Sequence, residues 1–279
     1  MPNLIQFINN LYGLNINSAE KVSKGFLSEN YYLTDGINKY FLKKYRFHNE
    51  KRVIEVHAVK KYFYRGGIPV ILPIEFDGSK SYFEYSGSFY TIFPFVAGRQ
   101  LQSGKLSNNA VTSMARMLGE IHLLGRDAVL DLSESFKIEN KESNLQKIDK
   151  ILSVLYKNEV QSDFDKLALR NIEMKRNLLM NNNQTIDQIG LKSDHLIHGD
   201  YLEQNLFFDD KDNVNFVFDL EKSNYSPRTY ELFRSLFNSI FSFEDSSIDF
   251  DKASIYIKSY SSVYPISTEE LKSGLQYII

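Results

Sequence analysis

His198, Asp200 and Asn205 open the stretch most able to do chemistry, spelling His-Gly-Asp, four residues, then Asn. They lie in the run HLIHGDYLEQNLFFDDKDNVNFVFDLE, which covers residues 195–221. Two short segments rich in aromatic and β-branched residues follow, Asn205 to Phe208 and Val214 to Phe218. Between them Asp209-Asp210-Lys211-Asp212-Asn213 has the composition of a reversing loop. Asp219 stands directly after the second segment, so a hairpin here should return it to the neighbourhood of Asn205, with Asp200 just upstream. One carboxylate and one amide suit Mg²⁺, which keeps its other positions for water and phosphate. A second carboxylate can accept the proton of an attacking hydroxyl. Together these are the parts of a phosphoryl-transfer site, where catalysis is mostly positioning and charge neutralisation. Other metal chemistry fits less well. The aspartates from Asp209 to Asp212 read as a solvated turn, because no Gly occupies the sixth position of a calcium loop. His195 and His198 lack the cysteine or third ligand that zinc would need.

The string from His198 to Asn205, followed by Phe218-Asp219-Leu220-Glu221, resembles the aminoglycoside phosphotransferase and choline kinase-like family, a small-molecule branch of the protein-kinase-like fold. That resemblance implies Asp200 as catalytic base, Asn205 and Asp219 as metal ligands, and His198 as a buried prop of the loop. It also implies Mg²⁺ as cofactor and ATP or GTP as phosphoryl donor. Gly199 stands where protein kinases usually carry Arg, and no Asp-Phe-Gly or Ala-Pro-Glu string follows Asp219, so a protein kinase is the weaker alternative. A non-catalytic binding module on the same fold is the other. Asp200, Asn205, Asp219 and Lys43, all present, argue against it.

The elements that must hold these residues are legible in order. Strand-like runs cover Lys21–Lys24, Tyr31–Thr34 and Lys39–Lys43, with Asp35-Gly36 as a hairpin signal. Period-two alternation puts Phe41, Lys43 and Tyr45 on one face and Tyr40, Leu42 and Lys44 on the other. The resemblance makes Lys43 the lysine that holds the α- and β-phosphates. It also lays the Gly25–Asn30 turn over the phosphates, with Ser28 and Asn30 as donors, though an ordinary turn has the same composition. Asn49–Arg65 reads as a helix with Val56, Val59 and Phe63 on its apolar face. Glu55 borders that face and, by analogy with the kinase Lys–Glu pair, would reach Lys43. Ile71–Glu75, Tyr82–Tyr85 and Phe89–Phe93 are expected to complete a small antiparallel sheet. Phe93-Pro94-Phe95-Val96 is then the hinge, with the Pro94 carbonyl and Val96 N–H facing the base by resemblance. Pro94 itself has no N–H to give.

Beyond the hinge the pattern is helical. Ser107–Leu124 places Val111, Met114, Leu118 and Ile121 on one face, and His122 beside it reads as a satisfied core residue. Helices are also expected over Glu142–Tyr156, Ser162–Met180 and from Ser226 to Ile240, and Ser267 to Glu270 is a capping box. Glu231 stands where the resembling family usually has Asp, in a string packed under the catalytic loop. The carboxylates Glu244, Asp245, Asp249 and Asp251 suit a solvated loop with helix caps, or else a site for a cationic substrate.

Composition limits the alternatives. A net charge of −2 gives no support for a nucleic-acid partner, and 43% hydrophobic content is ordinary for a globular chain. Zero cysteines exclude disulfides, and no stretch is long and apolar enough to span a bilayer, so a cytoplasmic protein without membrane contact is expected. The sequence thus predicts an α+β, bilobal protein-kinase-like fold. Residues 1–94 form a nucleotide-binding lobe, an antiparallel five-stranded sheet with one helix. Residues 95–279 form a mostly helical catalytic and substrate-binding lobe. The expected reaction moves the γ-phosphoryl group to a hydroxyl of a small molecule, an aminoglycoside-like antibiotic or a metabolite. Oligomeric state and acceptor are not legible.

Overall fold

A computed structural model describes residues 1–278 except 23–27, 134–140, 158–161, 182–190 and 243–246. The chain begins with α1 (Pro2–Tyr12), then β1 (Ser18–Val22), β2 (Ser28–Thr34) and β3 (Lys39–Tyr45). Helix α2 (Glu50–Arg65) follows, then β4 (Phe83–Tyr85) and β5 (Ser88–Pro94). These five strands form one antiparallel sheet in the order β1-β2-β3-β5-β4. Where one helix was expected on the sheet there are two, because α1 packs on it as well. Leu4 and Ile8 of α1 pack with Leu33, Leu42, Phe83 and Ile92.

One expected strand is absent. Ile71–Glu75 adds no strand to the sheet, although the Ile74 N–H donates to the Ile92 carbonyl at 2.8 Å. Pro69 and Pro73 lack the N–H groups that a ladder needs. The segment turns the other way instead: Val70 bridges Val217 in parallel, the Ile71 N–H donates to the Val217 carbonyl, and the Val217 N–H donates to the Pro69 carbonyl. What looks like a sixth strand is a tie to the hairpin strand that carries Val217.

Helix α2 starts where Asn49 caps it, its side chain accepting from the Arg52 N–H at 2.9 Å. Val53, Val56, Val59 and Phe63 are fully buried along one stripe. His57, on the same helix, is 3% exposed and bonded at both ring nitrogens, Nδ1 to Ser81 Oγ (2.7 Å) and Nε2 to Tyr45 Oη (3.2 Å). Burial, reinforced by the charge of Lys60, pushes its pKa from 6.5 down to about 3. The folded protein therefore refuses a proton that the unfolded chain accepts, so stability is lost as pH falls from about 6.5 toward 3. At pH 5 the loss is about 2 kcal/mol. Urea unfolding at pH 7 and pH 5 should show wild type losing about that much more than His57→Gln. Equal losses would mean that His57 titrates normally.

The remainder is helical around one hairpin. Helix α3 (Asn108–Arg126) is capped by Ser107, whose Oγ accepts from the Ala110 N–H, and buries Val111, Met114, Leu118 and Ile121. Helices α4 (Lys141–Leu155) and α5 (Asp163–Asn181) pack on each other. Strand β6 (His195–Ile197) leads to the hairpin of β7 (Leu206–Phe208) and β8 (Val214–Val217), and β9 (Asn224–Ser226) pairs back with β6. Helix α6 (Arg228–Ile240) is followed by the short pair β10 (Phe241–Ser242) and β11 (Ser247–Ile248). The described chain closes with α7 (Phe250–Val263) and α8 (Thr268–Ile278). The capping box forms: Ser267 Oγ accepts from the Glu270 N–H, and Glu270 Oε2 accepts from the Ser267 N–H. No helix among the described residues is long and apolar enough to cross a membrane.

Candidate active site

The loop between β6 and β7 is built from below. Glu231, 1% exposed on α6, accepts from the backbone N–H groups of His198 (2.9 Å) and Gly199 (2.5 Å) and from His122 (3.1 Å). A single carboxylate thus satisfies two loop amides that burial would otherwise strand, and the longer Glu reaches where a shorter Asp is customary. His198 is fully buried. Its Nδ1 accepts from the Asp200 N–H (3.2 Å), which leaves Nε2–H to donate to the Phe218 carbonyl (2.9 Å). It therefore links Asp200 to the segment that runs from β8 into Asp219. Gly199 has φ +86°, and a Cβ there would land on the carbonyl of Lys222. Arginine cannot occupy this position without moving that backbone.

The hairpin does what its composition predicts. The Phe218 N–H donates to the Asn205 carbonyl at 3.1 Å, so Asn205 and Asp219 leave the hairpin side by side. Asn205 commits its amide nitrogen to the Asp200 carbonyl (2.8 Å), leaving Oδ1 as its acceptor end. Asp219 takes the left-handed conformation, φ 64° and ψ 48°, and starts the single turn Leu220–Lys222. That turn buries Glu221 and brings Lys222 back over Asp200.

Asp200 is 9% exposed and holds two cations, Lys222 Nζ at 2.9 Å and Arg234 Nη2 at 2.5 Å. Burial alone would raise its pKa, but these two cations outweigh it and hold the carboxyl below the ordinary aspartate value. Lys43, 8% exposed on β3, donates to Asp219 Oδ1 (2.8 Å) and Glu221 Oε1 (2.7 Å). Burial works against its charge, and the two carboxylates more than restore it, so its pKa is raised. Lys44 points to the opposite face and meets Glu29 at 3.3 Å. The alternation of β3 thus separates the two lysines as expected.

Glu55 does not meet Lys43. Its carboxylate accepts from Ser133 N–H (2.9 Å) and Oγ (2.8 Å) and from Arg52 Nη1 (3.3 Å). The partner of Lys43 is Glu221, which follows Asp219 by two residues in the sequence. The pattern Asp-x-Glu was the available signal for it. Lys60, Lys222 and Arg234 were likewise missed. Lys60 carried a signal too, a lone lysine within the apolar stripe of α2.

Between the sheet and the hairpin lies a cleft of 490 Å³, lined by Phe93, Pro94, Val96, Phe207, Phe218 and Asp219 among others. Lys43 and Asn30 line it as well. Ser28 lies beside it, its Oγ donating to Asn30 Oδ1 at 3.0 Å. Gly25, Phe26 and Leu27 of the expected phosphate turn lie outside the described residues. In the segment expected to be the hinge, the Phe95 N–H donates to the Lys39 carbonyl (3.3 Å), and just beyond it the Arg99 carbonyl accepts from the Phe208 N–H (2.9 Å), which fastens this segment to the hairpin. In the acidic run, Asp249 caps α7 by accepting from Lys252 N–H (2.9 Å), and Asp251 is exposed in its first turn. Glu244 and Asp245 lie outside the described residues.

The donor set fits a divalent cation of the magnesium kind. Glu221 Oε2 is buried with no hydrogen-bond partner among the described residues. Burial and the neighbouring Glu221 charge raise the pKa of Asp219 despite Lys43. Asp219 thus remains short of positive charge even with Lys43 bonded to it, and it leaves the hairpin alongside Asn205. No group of three or more His, Cys, Asp and Glu able to hold a metal is found among the described residues, which disfavours an all-protein cage.

Solved structures share this architecture. A spectinomycin phosphotransferase, solved with ADP and spectinomycin, has a TM-score of 0.73 at 13% identity, over 99% of this chain and 83% of that one. An aminoglycoside phosphotransferase from Alicyclobacillus acidocaldarius gives 0.68 at 16% identity, covering 98% and 82% of the two chains. A choline kinase from Cryptosporidium parvum gives 0.61 at 14%, covering 99% and 85%. At these identities the likeness speaks for the fold, an α+β kinase-like one. No curated protein matches the chain. The model of the phosphotransferase enzyme family matches residues 18–253, nearly the whole chain from β1 into α7. The chain belongs to the phosphotransferase enzyme family.

Proposed function

We propose that this phosphotransferase moves the γ-phosphoryl group of ATP or GTP to a hydroxyl of a small molecule. The observation that carries the reading is a cleft lined by Lys43 and Asp219, which bond to each other, with Asn205 paired across the hairpin to the residue before Asp219 and its amide held on the Asp200 carbonyl. On this reading residues 1–94 hold the nucleotide, and residues 95–279 carry catalysis and the acceptor. The aromatic walls Phe93, Phe207 and Phe218 suit a purine, with Pro94 and Val96 offering backbone groups at its edge. Lys43 meets the phosphates, and Asn30 and Ser28 lie on the strand that follows the phosphate turn. Asn205 and Asp219 would hold Mg²⁺, whose contribution is to neutralise the phosphate oxygens.

The acceptor oxygen bonds to phosphorus as the bond from the γ-phosphorus to the bridging oxygen breaks. Asp200 takes the hydroxyl proton and passes it to solvent, and the nucleoside diphosphate leaves with the bond pair. Lys222 and Arg234 keep Asp200 ionised and lie where charge on the moving phosphoryl group would be screened.

The test is a panel of acceptors with ATP and with GTP: aminoglycosides, choline, homoserine and sugars, together with a generic protein substrate. One class of small hydroxyl compound should raise diphosphate release above the rate without acceptor and gain one phosphoryl group by mass. Phosphorylation of the protein substrate alone would make the chain a protein kinase. Nucleotide binding with no acceptor turned over would favour the binding module.

A further inference from the structure

Helix α2 offers this cleft a cation where the pairing of a nucleotide lysine calls for a carboxylate. Lys60 is 2% exposed and lines the cleft, its ammonium 5.9 Å from the ring centre of Phe93. A lysine on a helix surface ordinarily carries its head to water along its flexible stem. Lys60 instead directs Nζ to Glu221 Oε1 at 3.3 Å, the same oxygen that receives Lys43 at 2.7 Å. Glu55, the carboxylate that α2 does bury, is bonded to Ser133 and Arg52 and takes no part. Arg52 instead steadies the Glu221 turn, donating to the carbonyls of Glu221 (2.7 Å) and Ser223 (2.9 Å). The charge order of the pair is therefore reversed: the turn after Asp219 supplies the carboxylate and α2 supplies a second lysine.

Two lysines on one oxygen divide the work. When phosphates enter, Lys43 must turn its charge toward them, and Glu221 would then be a buried carboxylate stripped of its cation. Lys60 is already in place to hold it. We propose that Lys60 is a positioning residue, which keeps Glu221 paired so that Lys43 is free to bind the nucleotide phosphates. This rests on the nucleotide reading of the cleft.

The test compares Kd for ADP and for adenosine, by calorimetry without added metal, in wild type, Lys60→Met and Lys60→Arg. Adenosine keeps the base and ribose contacts but has nothing for Lys43. Lys60→Met should weaken ADP by about 10-fold, leave adenosine within about twofold, and be restored by Lys60→Arg to within about threefold of wild type. ADP and adenosine weakened alike would assign Lys60 a merely structural role, and ADP unweakened would leave it without one; either result overturns the inference. Should Lys60→Met fail to fold, the pair Lys60→Met/Glu221→Gln, which leaves no unpaired buried charge, decides the matter. With the carboxylate gone Lys60 has nothing to hold, so ADP affinity should equal that of Glu221→Gln alone, and a further loss overturns the inference. A wild type that binds neither ligand would sink the nucleotide reading of the cleft itself, and this inference with it.

Discussion

Asp200→Ala should lose roughly 100- to 10,000-fold in turnover while its nucleotide affinity does not fall. The two halves of that expectation come from one geometry. Asp200 is the loop carboxylate next to Asn205, and no other described acidic side chain is bonded to both Lys222 and Arg234. On the proposed mechanism, deleting it removes the proton acceptor for the incoming hydroxyl. It also leaves Lys222 and Arg234 without their shared carboxylate, so the loop beside Asn205 becomes more positive toward a triphosphate. Nucleotide affinity should therefore hold or rise, as calorimetry with a non-hydrolysable analogue can show. The pH profile gives an independent check. Because the two cations hold Asp200 below its ordinary pKa, the acid limb of turnover due to this group lies below the usual aspartate range. Lys222→Met removes one of them, so the limb should move to higher pH. Turnover within a few-fold of wild type in Asp200→Ala would show that another group takes the proton.

Much of this site was legible because its parts are close in sequence. His198, Asp200, Asn205 and Asp219 sit on one loop and one hairpin, and a hairpin of known register fixes which residues return together. Lys43 and Lys44 were separable for a similar reason: alternation along a strand puts them on opposite faces, and the resemblance then pointed to Lys43. The sheet itself was legible from its strand runs, apart from Ile71–Glu75. There Pro69 and Pro73 leave too few N–H groups for a ladder, and the segment pairs with β8, a partner almost 150 residues further along the chain by the numbering.

Partners chosen across the fold were not legible. A helical glutamate such as Glu55 can be placed on a face but not matched to a cation, since Ser133 and Arg52 compete for it from different elements. The same holds for Arg234, one of several polar residues on α6 until folding sets it 2.5 Å from Asp200. Lys60 differs. It lies on the stripe of Val53, Val56 and Phe63, where a charge must find a buried partner or destabilise the helix packing. An unexplained lysine within an apolar stripe is thus a readable sign of a carboxylate elsewhere, although which one it meets is a tertiary fact.

Lys43→Met should impair both nucleotide binding and the stability of the protein without nucleotide, and magnesium should compensate for the second loss. Lys43 is the shared partner of Asp219 and Glu221, and Glu221 is only 4% exposed. Removing one member of a buried ion pair costs about 3–5 kcal/mol, because the other charge stays behind uncompensated. Lys60 still holds Glu221, which places this variant toward the lower end of that range. Urea unfolding without metal measures the loss, and adding Glu221→Gln should recover part of it by removing the stranded charge. The magnesium response has the opposite sign. In the wild type Lys43 Nζ already bonds to Asp219 Oδ1, so a divalent cation must compete with an ammonium for that carboxylate. Without Lys43 the competition is gone while Asp219, Glu221 and Asn205 remain. Magnesium alone should therefore raise the melting temperature of Lys43→Met more than that of wild type, by linkage to the folded state. A larger shift in wild type would mean that the cation does not use these carboxylates.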